Sequence, residues 1–284
     1  MAKSYKPAVI EHIFNGLYNP ATKTLSRTIV TAKDIQEAKV AVSQQQGLRI
    51  KLDSQQMNFM KDLVRGRGAA RLWPPSVLAA GYTGEQRTGS GAVFEFVPVV
   101  AGTPSSLSID YVPSAHTPRF QVQSLSIPQA SKSLGRRDEP WLLQVAVQLH
   151  VLETHFAVGA NKQIDALEMS HLQMDLKLRK VQIDAMFLVH HALPAKEISE
   201  AIITVEAKQH NQRILPEQIG RQVNAAFAST RADLVIPVAI AASPGEGIYV
   251  VEFQAVRRDA LAQFMAPAFH RDALFLLEPP VKGI

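Results

Sequence analysis

Three charged residues in the C-terminal half of the chain have the types and spacing of a hydrolytic site. Asp184 interrupts the apolar run "VQIDAMFLV", and Glu206 and Lys208 lie near the end of the later apolar run "AIITVEAKQ". Residues i and i+2 of a strand point to the same face, so Glu206 and Lys208 share a face while Ala207 points away. If the two runs pair as neighbouring strands, Asp184 can lie opposite Glu206, and the carbonyl of Ala207 stands at the strand edge.

Two carboxylates that converge within a few ångströms repel each other unless a cation lies between them. Hard oxygen ligands with water still bound suit Mg²⁺, which is the predicted cofactor. A lysine beside the ion can orient or help deprotonate a water molecule and offset charge on a phosphoryl oxygen. These groups would serve metal-assisted hydrolysis of a phosphodiester bond. The alternative is an ordinary ion pair between Glu206 and Lys208 at a strand end. Asp184 fits that alternative less well, because a carboxylate buried without a partner is costly.

The order of these residues resembles the PD-(D/E)XK nuclease superfamily, in which a strand aspartate is followed by a hairpin connection and by Glu-x-Lys at the end of an apolar strand. The resemblance implies that Asp184 and Glu206 bind the metal ion. It also implies that the carbonyl of Ala207 is a third ligand and that Lys208 is the catalytic amine. Ile183 stands where the family often has proline, a residue that is not a ligand.

Four further residues are candidates for accessory roles by the same resemblance, which covers roughly residues 140 to 256. Some members carry a polar residue behind the Glu-x-Lys strand, as Gln218 and Gln222 would in the predicted helix "EQIGRQV". Members often recruit an extra acid from an upstream element, and Glu153 and Glu168 are the candidates for that acid. Acids in such positions are more often surface or packing residues than ligands.

Neither a Glu-x-Lys motif alone nor a pair of histidines defines a site in this chain. The sequence repeats the motif type as "EAK" at residues 37–39 and as "DLK" at residues 175–177, shortly before Asp184. His190 and His191 are adjacent on a predicted strand and therefore point to opposite faces. No second cluster completes a tetrahedral set, so a zinc site is not predicted.

Residues 131–284 show the pattern of strands, then one helix, then strands again. "HLQMDLKLR", "VQIDAMFLV", "AIITVEAKQ", "DLVIPVAIAAS" and "IYVVEFQAV" have strand patterns, and "PEQIGRQVNAAFAST" has that of an amphipathic helix with proline at its start. The segment "WLLQVAVQLHVLETHFAV" fits either a strand or a helix. We predict the α/β (α+β) class, with a mixed central sheet flanked by helices. The resemblance implies a restriction-endonuclease-like core, so this region is the expected nuclease catalytic domain.

Residues 1–130 are expected to form a DNA-recognition region. Their pattern is mainly helical and ends in a turn and a strand, which fits a winged-helix-like unit. Pro, Ser, Thr and Gly become frequent after residue 101, and the domain boundary is predicted near residue 130. Arginine beside glycine and serine in loops suits close approach to phosphates and groove edges of DNA. The candidate DNA-binding residues are Arg65, Arg67, Arg71, Arg87, Arg136 and Arg137.

Composition limits the classes of protein to which the chain can belong. Of its 284 residues, 46% are hydrophobic and 19% are charged, as in globular proteins. No apolar run approaches the roughly 20 residues that span a bilayer, and no apolar segment follows the N-terminal lysines, so we expect a cytoplasmic protein without a membrane partner. The absence of cysteine excludes disulfides and a cysteine nucleophile. A net charge of +5 permits an anionic partner without requiring one.

A single-chain nuclease of this size, without a helicase or ATPase signature, resembles a type II restriction endonuclease. The resemblance implies that the protein hydrolyses double-stranded DNA at a specific sequence with Mg²⁺. A palindromic DNA site favours a homodimer, because two-fold symmetry in the protein matches two-fold symmetry in the DNA. Such an enzyme also implies a cognate DNA methyltransferase in the host. Two alternatives stay open. One is a modification-dependent or repair endonuclease of the same superfamily, and the other is a non-catalytic DNA-binding regulator.

Overall fold

The computed structural model describes residues 4–47, 49–52, 56, 59–60, 63, 73–87, 91–99, 111–179, 181–194, 197–209, 212–264 and 266–284. The chain divides into two compact units, Met1–Asp110 and Tyr111–Ile284. The division falls before the boundary that the sequence predicts near residue 130. That prediction is wrong because strand Arg119–Gln123 pairs with strand Phe269–Glu278, in the sheet of the second unit.

The first unit combines helices with a small antiparallel sheet. Thr31 caps its second helix, since the Thr31 side chain accepts a hydrogen bond from the Asp34 backbone N–H and the Asp34 carboxylate accepts one from Thr31. Besides the expected helices, the described residues contain a three-stranded sheet with the strand order Ile29–Thr31, Ala92–Pro98 and Tyr82–Gln86. The winged-helix interpretation stays a prediction. The elements are α1 (Lys6–Leu17), β1 (Tyr18–Asn19), β2 (Thr24–Leu25), β3 (Ile29–Thr31), α2 (Ala32–Gln46), α3 (Pro75–Ala79), β4 (Tyr82–Gln86) and β5 (Ala92–Pro98).

The second unit is built around one large sheet. The segment that fits either a strand or a helix forms two helices, Glu139–Gln148 and Val151–Ala157. No helix in the described part of the chain is long and apolar enough to cross a membrane. The elements are β6 (Arg119–Gln123), α4 (Gln129–Leu134), α5 (Glu139–Gln148), α6 (Val151–Ala157), β7 (Asp165–Leu178), β8 (Val181–Ala192), β9 (Ile198–Lys208), α7 (Pro216–Ser229), β10 (Leu234–Ser243), β11 (Gly247–Phe253), β12 (Val256–Arg257), a 3₁₀ helix (Arg258–Gln263) and β13 (Phe269–Glu278).

The described strands of this sheet follow the order β6-β13-β11-β10-β9-β8-β7, with β12 beside β10. β9 runs parallel to β10 and β13 runs parallel to β6, while the other neighbours are antiparallel. Helix α7 forms the crossover between the parallel strands β9 and β10, which a hairpin cannot connect. The predicted class, a mixed sheet flanked by helices, is confirmed.

Helices cover both faces of the central strands. On one face, α5 and α6 pack against a core that includes Val205 and Ala207 of β9. On the other face, Val223 and Phe227 of α7 pack in a core with Ile202 of the same strand. Strands that are buried on both faces have nearly continuous apolar sequences, as β8, β9 and β10 do. A charged side chain in such a strand lies in the interior and requires a partner there.

One such charge, Glu252 on β11, anchors α6 to the sheet. Its carboxylate accepts hydrogen bonds from Gln163 Nε2 and Arg271 Nε, both at 2.6 Å, and lies 2.8 Å from His155 Nε2. Burial lowers the pKa of His155, and the charge of Arg271 lowers it further. Together these two effects outweigh Glu252, which alone would raise that pKa. Burial alone would raise the pKa of Glu252, but its hydrogen bonds to His155, Gln163 and Arg271 lower it overall. The network therefore joins a neutral imidazole to an ionised carboxylate.

Acid is expected to destabilise the second unit through His155. Because its pKa in the folded state is below the usual 6.5, the unfolded state binds more protons, and the free energy of unfolding falls as the pH drops through 6.5. His155→Gln should remove this part of the pH dependence below pH 6.5, as measured by urea unfolding at each pH. Exposed His116→Gln is the control and should keep it. An equal slope in wild type and His155→Gln would contradict the prediction.

Candidate active site

The hairpin of β8 and β9 brings Asp184 next to the Glu-x-Lys segment. The antiparallel pairing begins with Ala185 opposite Val205, so the next position sets Asp184 opposite Glu206. The backbone N–H of Ala207 donates a hydrogen bond to Asp184 Oδ2 at 2.8 Å. The predicted pairing of the two apolar runs is therefore confirmed. Beyond the last backbone pair, the hydrogen bond between the two strands is made by the Asp184 side chain.

Glu206 and Lys208 point to the same face of β9 and are in contact. Lys208 Nζ donates a hydrogen bond to Glu206 Oε1 and lies 3.5 Å from Glu139 Oε1. Both side chains are inside the protein, with residue exposures of 1% for Glu206 and 4% for Lys208. Residues at i and i+2 of a strand share a face, which is why the spacing found in the sequence produces this pair.

Gln222 reaches the same group from helix α7. It is fully buried, and its Nε2 donates hydrogen bonds to Glu206 Oε2 and to the carbonyl of Gln182, the latter at 3.1 Å. Its Oε1 is buried and has no hydrogen-bond partner among the described residues. Gln218 lies one turn earlier on α7, and within the described residues its side chain forms no hydrogen bond to Asp184 or Glu206.

The third acid of the site is Glu139, which the sequence interpretation missed. It is the first residue of α5, directly after the N-cap Asp138, whose side chain accepts a hydrogen bond from the Trp141 N–H at 3.0 Å. Gln209 Nε2 donates to the carbonyl of Asp138 at 2.7 Å and so ties the end of β9 to the start of α5. In the sequence, "DEP" before an apolar run marks an acid in a helical first turn, but it does not indicate that this turn lies beside β9.

The two acids proposed from the sequence for this role lie elsewhere. Glu153, on α6, lies 3.2 Å from His150 Nδ1 through its Oε1. Glu168, on β7, is exposed and stands opposite His190, at the far end of the β7–β8 hairpin from Asp184. The tertiary fold determines where helix α6 and the far end of the hairpin lie relative to the site. Sequence spacing does not specify those positions.

The candidate DNA-binding arginines fall into three groups. Arg87 lies in the first unit and forms ion pairs with Glu85 at 2.9 Å and Glu95 at 2.8 Å. Arg136 and Arg137 are exposed and immediately precede the helix that carries the third acid; Arg136 Nη1 is 3.9 Å from Asp138 Oδ2. The remaining three lie outside the described residues: Arg65, Arg67 and Arg71.

The electrostatics of the site reflect an excess of acid. Burial raises the pKa of Glu206 to about 7; Lys208 opposes this shift, and Asp184 and Glu139 add to it. Burial raises the pKa of Asp184 as well, more than the Ala207 N–H and Lys208 lower it. Burial alone would lower the pKa of Lys208, but Glu206 and Glu139 outweigh it and raise that pKa. Three carboxyl groups thus share one ammonium group, and a second cation would relieve their repulsion.

The residues present fit a hard divalent cation. Asp184 Oδ1 accepts no hydrogen bond from the described residues, and Gln222 Oε1 is likewise unpartnered. Carboxylate and carbonyl oxygens, together with water, are the ligands that Mg²⁺ prefers. The described residues contain no group of three or more His, Cys, Asp or Glu side chains arranged around one metal position. The ligands that the resemblance implies, the carboxylates of Asp184 and Glu206 and the carbonyl of Ala207, stay a prediction.

Comparison of the chain with protein-family models, curated proteins and solved structures gave no significant match. The functional interpretation therefore depends on the geometry and chemistry of the residues around Asp184, Glu206 and Lys208.

Asp184→Asn is expected to stabilise the protein in the absence of metal. The amide keeps an oxygen that can accept the Ala207 hydrogen bond and removes a charge that burial disfavours, so the free energy of unfolding should rise by about 1 kcal/mol at pH 8. Mg²⁺ should then raise the melting temperature of the wild type and not that of the variant. Asp175→Asn, on β7, is the matched control and should retain the Mg²⁺ effect. Destabilisation by Asp184→Asn would indicate that the carboxylate has a structural role.

Proposed function

We propose that the protein is a Mg²⁺-dependent endonuclease of the PD-(D/E)XK type that hydrolyses phosphodiester bonds of double-stranded DNA. The observation that carries the proposal is that one hairpin brings together the half-buried Asp184 and the buried Glu206 and Lys208. A merely structural ion pair between Glu206 and Lys208 would need neither the neighbouring Asp184 nor the third acid, Glu139. The excess of acid and the raised pKa of the carboxyl groups support a site that a cation completes.

Asp184, Glu206 and the Ala207 carbonyl would hold the metal ion. When bound, Mg²⁺ would polarise the phosphate and lower the pKa of a coordinated water molecule. Lys208 acts as an ammonium group, because the carboxylates around it raise its pKa. Its Nζ can therefore donate a hydrogen bond to a phosphoryl oxygen and offset the charge that develops there. The main role that we propose for Lys208 is therefore to stabilise charge, and deprotonation of water would be a secondary role.

Two neighbours position these groups. Gln222 Nε2 donates to Glu206 Oε2, which fixes the orientation of that carboxylate through helix α7. Glu139 is close to Lys208 Nζ, and so the start of α5 limits where the ammonium group can point. Held by side chains of α5 and α7, Glu206 and Lys208 have little rotational freedom, as a preorganised site requires.

The finer proposal is a type II restriction endonuclease that acts as a homodimer, with a cognate DNA methyltransferase in the host. The first unit would provide DNA recognition, and the exposed Arg136 and Arg137 would contact the phosphates next to the site, since they lie three and two residues before Glu139. A modification-dependent or repair endonuclease would use the same residues on a different DNA substrate.

Cleavage should depend on Mg²⁺ and on the proposed site. Incubation of the full chain with unmethylated phage DNA should give discrete fragments with Mg²⁺ and none with EDTA. Lys208→Gln should lower the cleavage rate about 10²–10³-fold while DNA binding in a gel-shift assay is kept, because it removes a charge that acts on the transition state. Lys177→Gln, in the similar motif on β7, is the matched control and should cleave normally.

The other outcomes separate the alternatives. Cleavage of methylated DNA alone would favour the modification-dependent enzyme. Intact DNA under every condition, together with sequence-specific binding, would favour the non-catalytic regulator and contradict the proposal. Cleavage that is unchanged in Lys208→Gln would mean that this group is not the active site.

The double variant Arg136→Ala/Arg137→Ala should weaken DNA binding at every sequence by a similar factor. Each arginine that contacts a phosphate releases a counterion, so the slope of log affinity against log salt should fall by about 1 to 2. Arg231→Ala is the control, since it lies just before β10 at the opposite end of the sheet from Lys208. A variant that loses affinity for one DNA sequence only would assign these arginines to base recognition.

A further inference from the structure

A second cavity lies in the second unit, away from the candidate active site. Its volume is about 650 Å³, within the size range of small-molecule sites. It is lined at the end of β8 by His191 and at the start of β10 by Leu234. Asp184 and His191 are seven residues apart on β8, and at about 3.3 Å per strand residue the two positions are about 23 Å apart. A ligand in this cavity would not contact the nuclease residues.

His191 is the residue that points to a ligand. Only 6% of it is exposed, and its Nε2 is buried without a hydrogen-bond partner among the described residues. Buried polar atoms are almost always hydrogen-bonded, so an unpartnered ring nitrogen beside a cavity requires an explanation. The adjacent His190 provides the contrast, because it points to the other face of β8 and its Nε2 lies 3.4 Å from Glu200.

The lining indicates the charge and shape of the ligand. Two cationic residues, Lys162 and Arg257, line the cavity together with one acid, Asp165. Lys162 forms no ion pair with any described residue, whereas Arg257 is paired with Asp259 at 3.1 Å. Much of the remaining lining is apolar: Ile164, Ala192, Leu193, Pro194, Leu234 and Ala255. A cavity of this kind matches an amphiphilic anion better than an inorganic ion.

We propose that this cavity binds a small organic anion, in which a carboxylate or a phosphate ester is attached to an apolar group. The oxyanion would accept a hydrogen bond from His191 Nε2 and be attracted by Lys162 and Arg257, while the apolar group would cover the Leu234 side of the cavity. The proposal does not depend on nuclease activity, since none of these residues belongs to the candidate active site.

The proposal can be tested by isothermal titration calorimetry, in which the full chain is titrated with benzoate and with phenyl phosphate. These two probes carry a carboxylate and a phosphate ester on the same apolar ring. At least one should bind, and its affinity should exceed that of inorganic phosphate and that of phenol. His191→Phe should weaken binding about tenfold or more through loss of the hydrogen bond. His190→Phe is the matched control and should bind normally, and exposed Lys162→Ala gives a second test if His191→Phe does not fold.

Several results would overturn the proposal. The first is that neither organic anion binds. The second is that wild type, His191→Phe and Lys162→Ala all bind equally, and the third is that inorganic phosphate binds as tightly as phenyl phosphate. Binding that is lost in Asp184→Asn and kept in His191→Phe would locate the ligand at the other site. Cleavage of DNA should be unchanged in His191→Phe, so failure of the nuclease proposal and failure of this one are distinguishable.

Discussion

The burial of charge inside a sheet that is covered on both faces is the constraint on which the second unit depends. Helices α5, α6 and α7 exclude water from β9, so Glu206 and Lys208 can be accommodated only beside each other and beside further polar groups. Each of these groups comes from a different element. The hairpin supplies Asp184, the first turn of α5 supplies Glu139 and the middle of α7 supplies Gln222.

The groups around Glu252 and around Glu206, two buried charged groups among the described residues, differ in how completely their hydrogen bonds and charges are satisfied. Around Glu252, the carboxylate has a guanidinium, an imidazole and an amide as partners, and the result is a closed network that holds α6. Around Glu206, three carboxyl groups share one ammonium group, and an amide oxygen of Gln222 has no partner among the described residues. A closed network contributes to stability, whereas an incomplete one retains a cost that a ligand can remove.

Features that depend on strand periodicity could be predicted from the sequence. The i, i+2 spacing correctly predicted that Glu206 and Lys208 share a face, and the two apolar runs correctly predicted the hairpin that brings in Asp184. The role of Glu139 could not be predicted, because the position of α5 depends on packing over the sheet and not on local spacing. The positions of Glu153 and Glu168 depend on the tertiary fold in the same way. The domain boundary failed because the parallel pairing of two strands far apart in sequence has no local signal.

The central claim concerns the second unit alone. That claim is that the buried acids are arranged to bind a divalent cation. The most direct test is a crystal structure of the protein soaked in Mn²⁺, which binds oxygen ligands as Mg²⁺ does and gives an anomalous signal. The account predicts one anomalous peak about 2.0–2.2 Å from carboxylate oxygens of Asp184 and Glu206 and from the Ala207 carbonyl. A crystal without that peak, in which Lys208 still contacts Glu206, would contradict it.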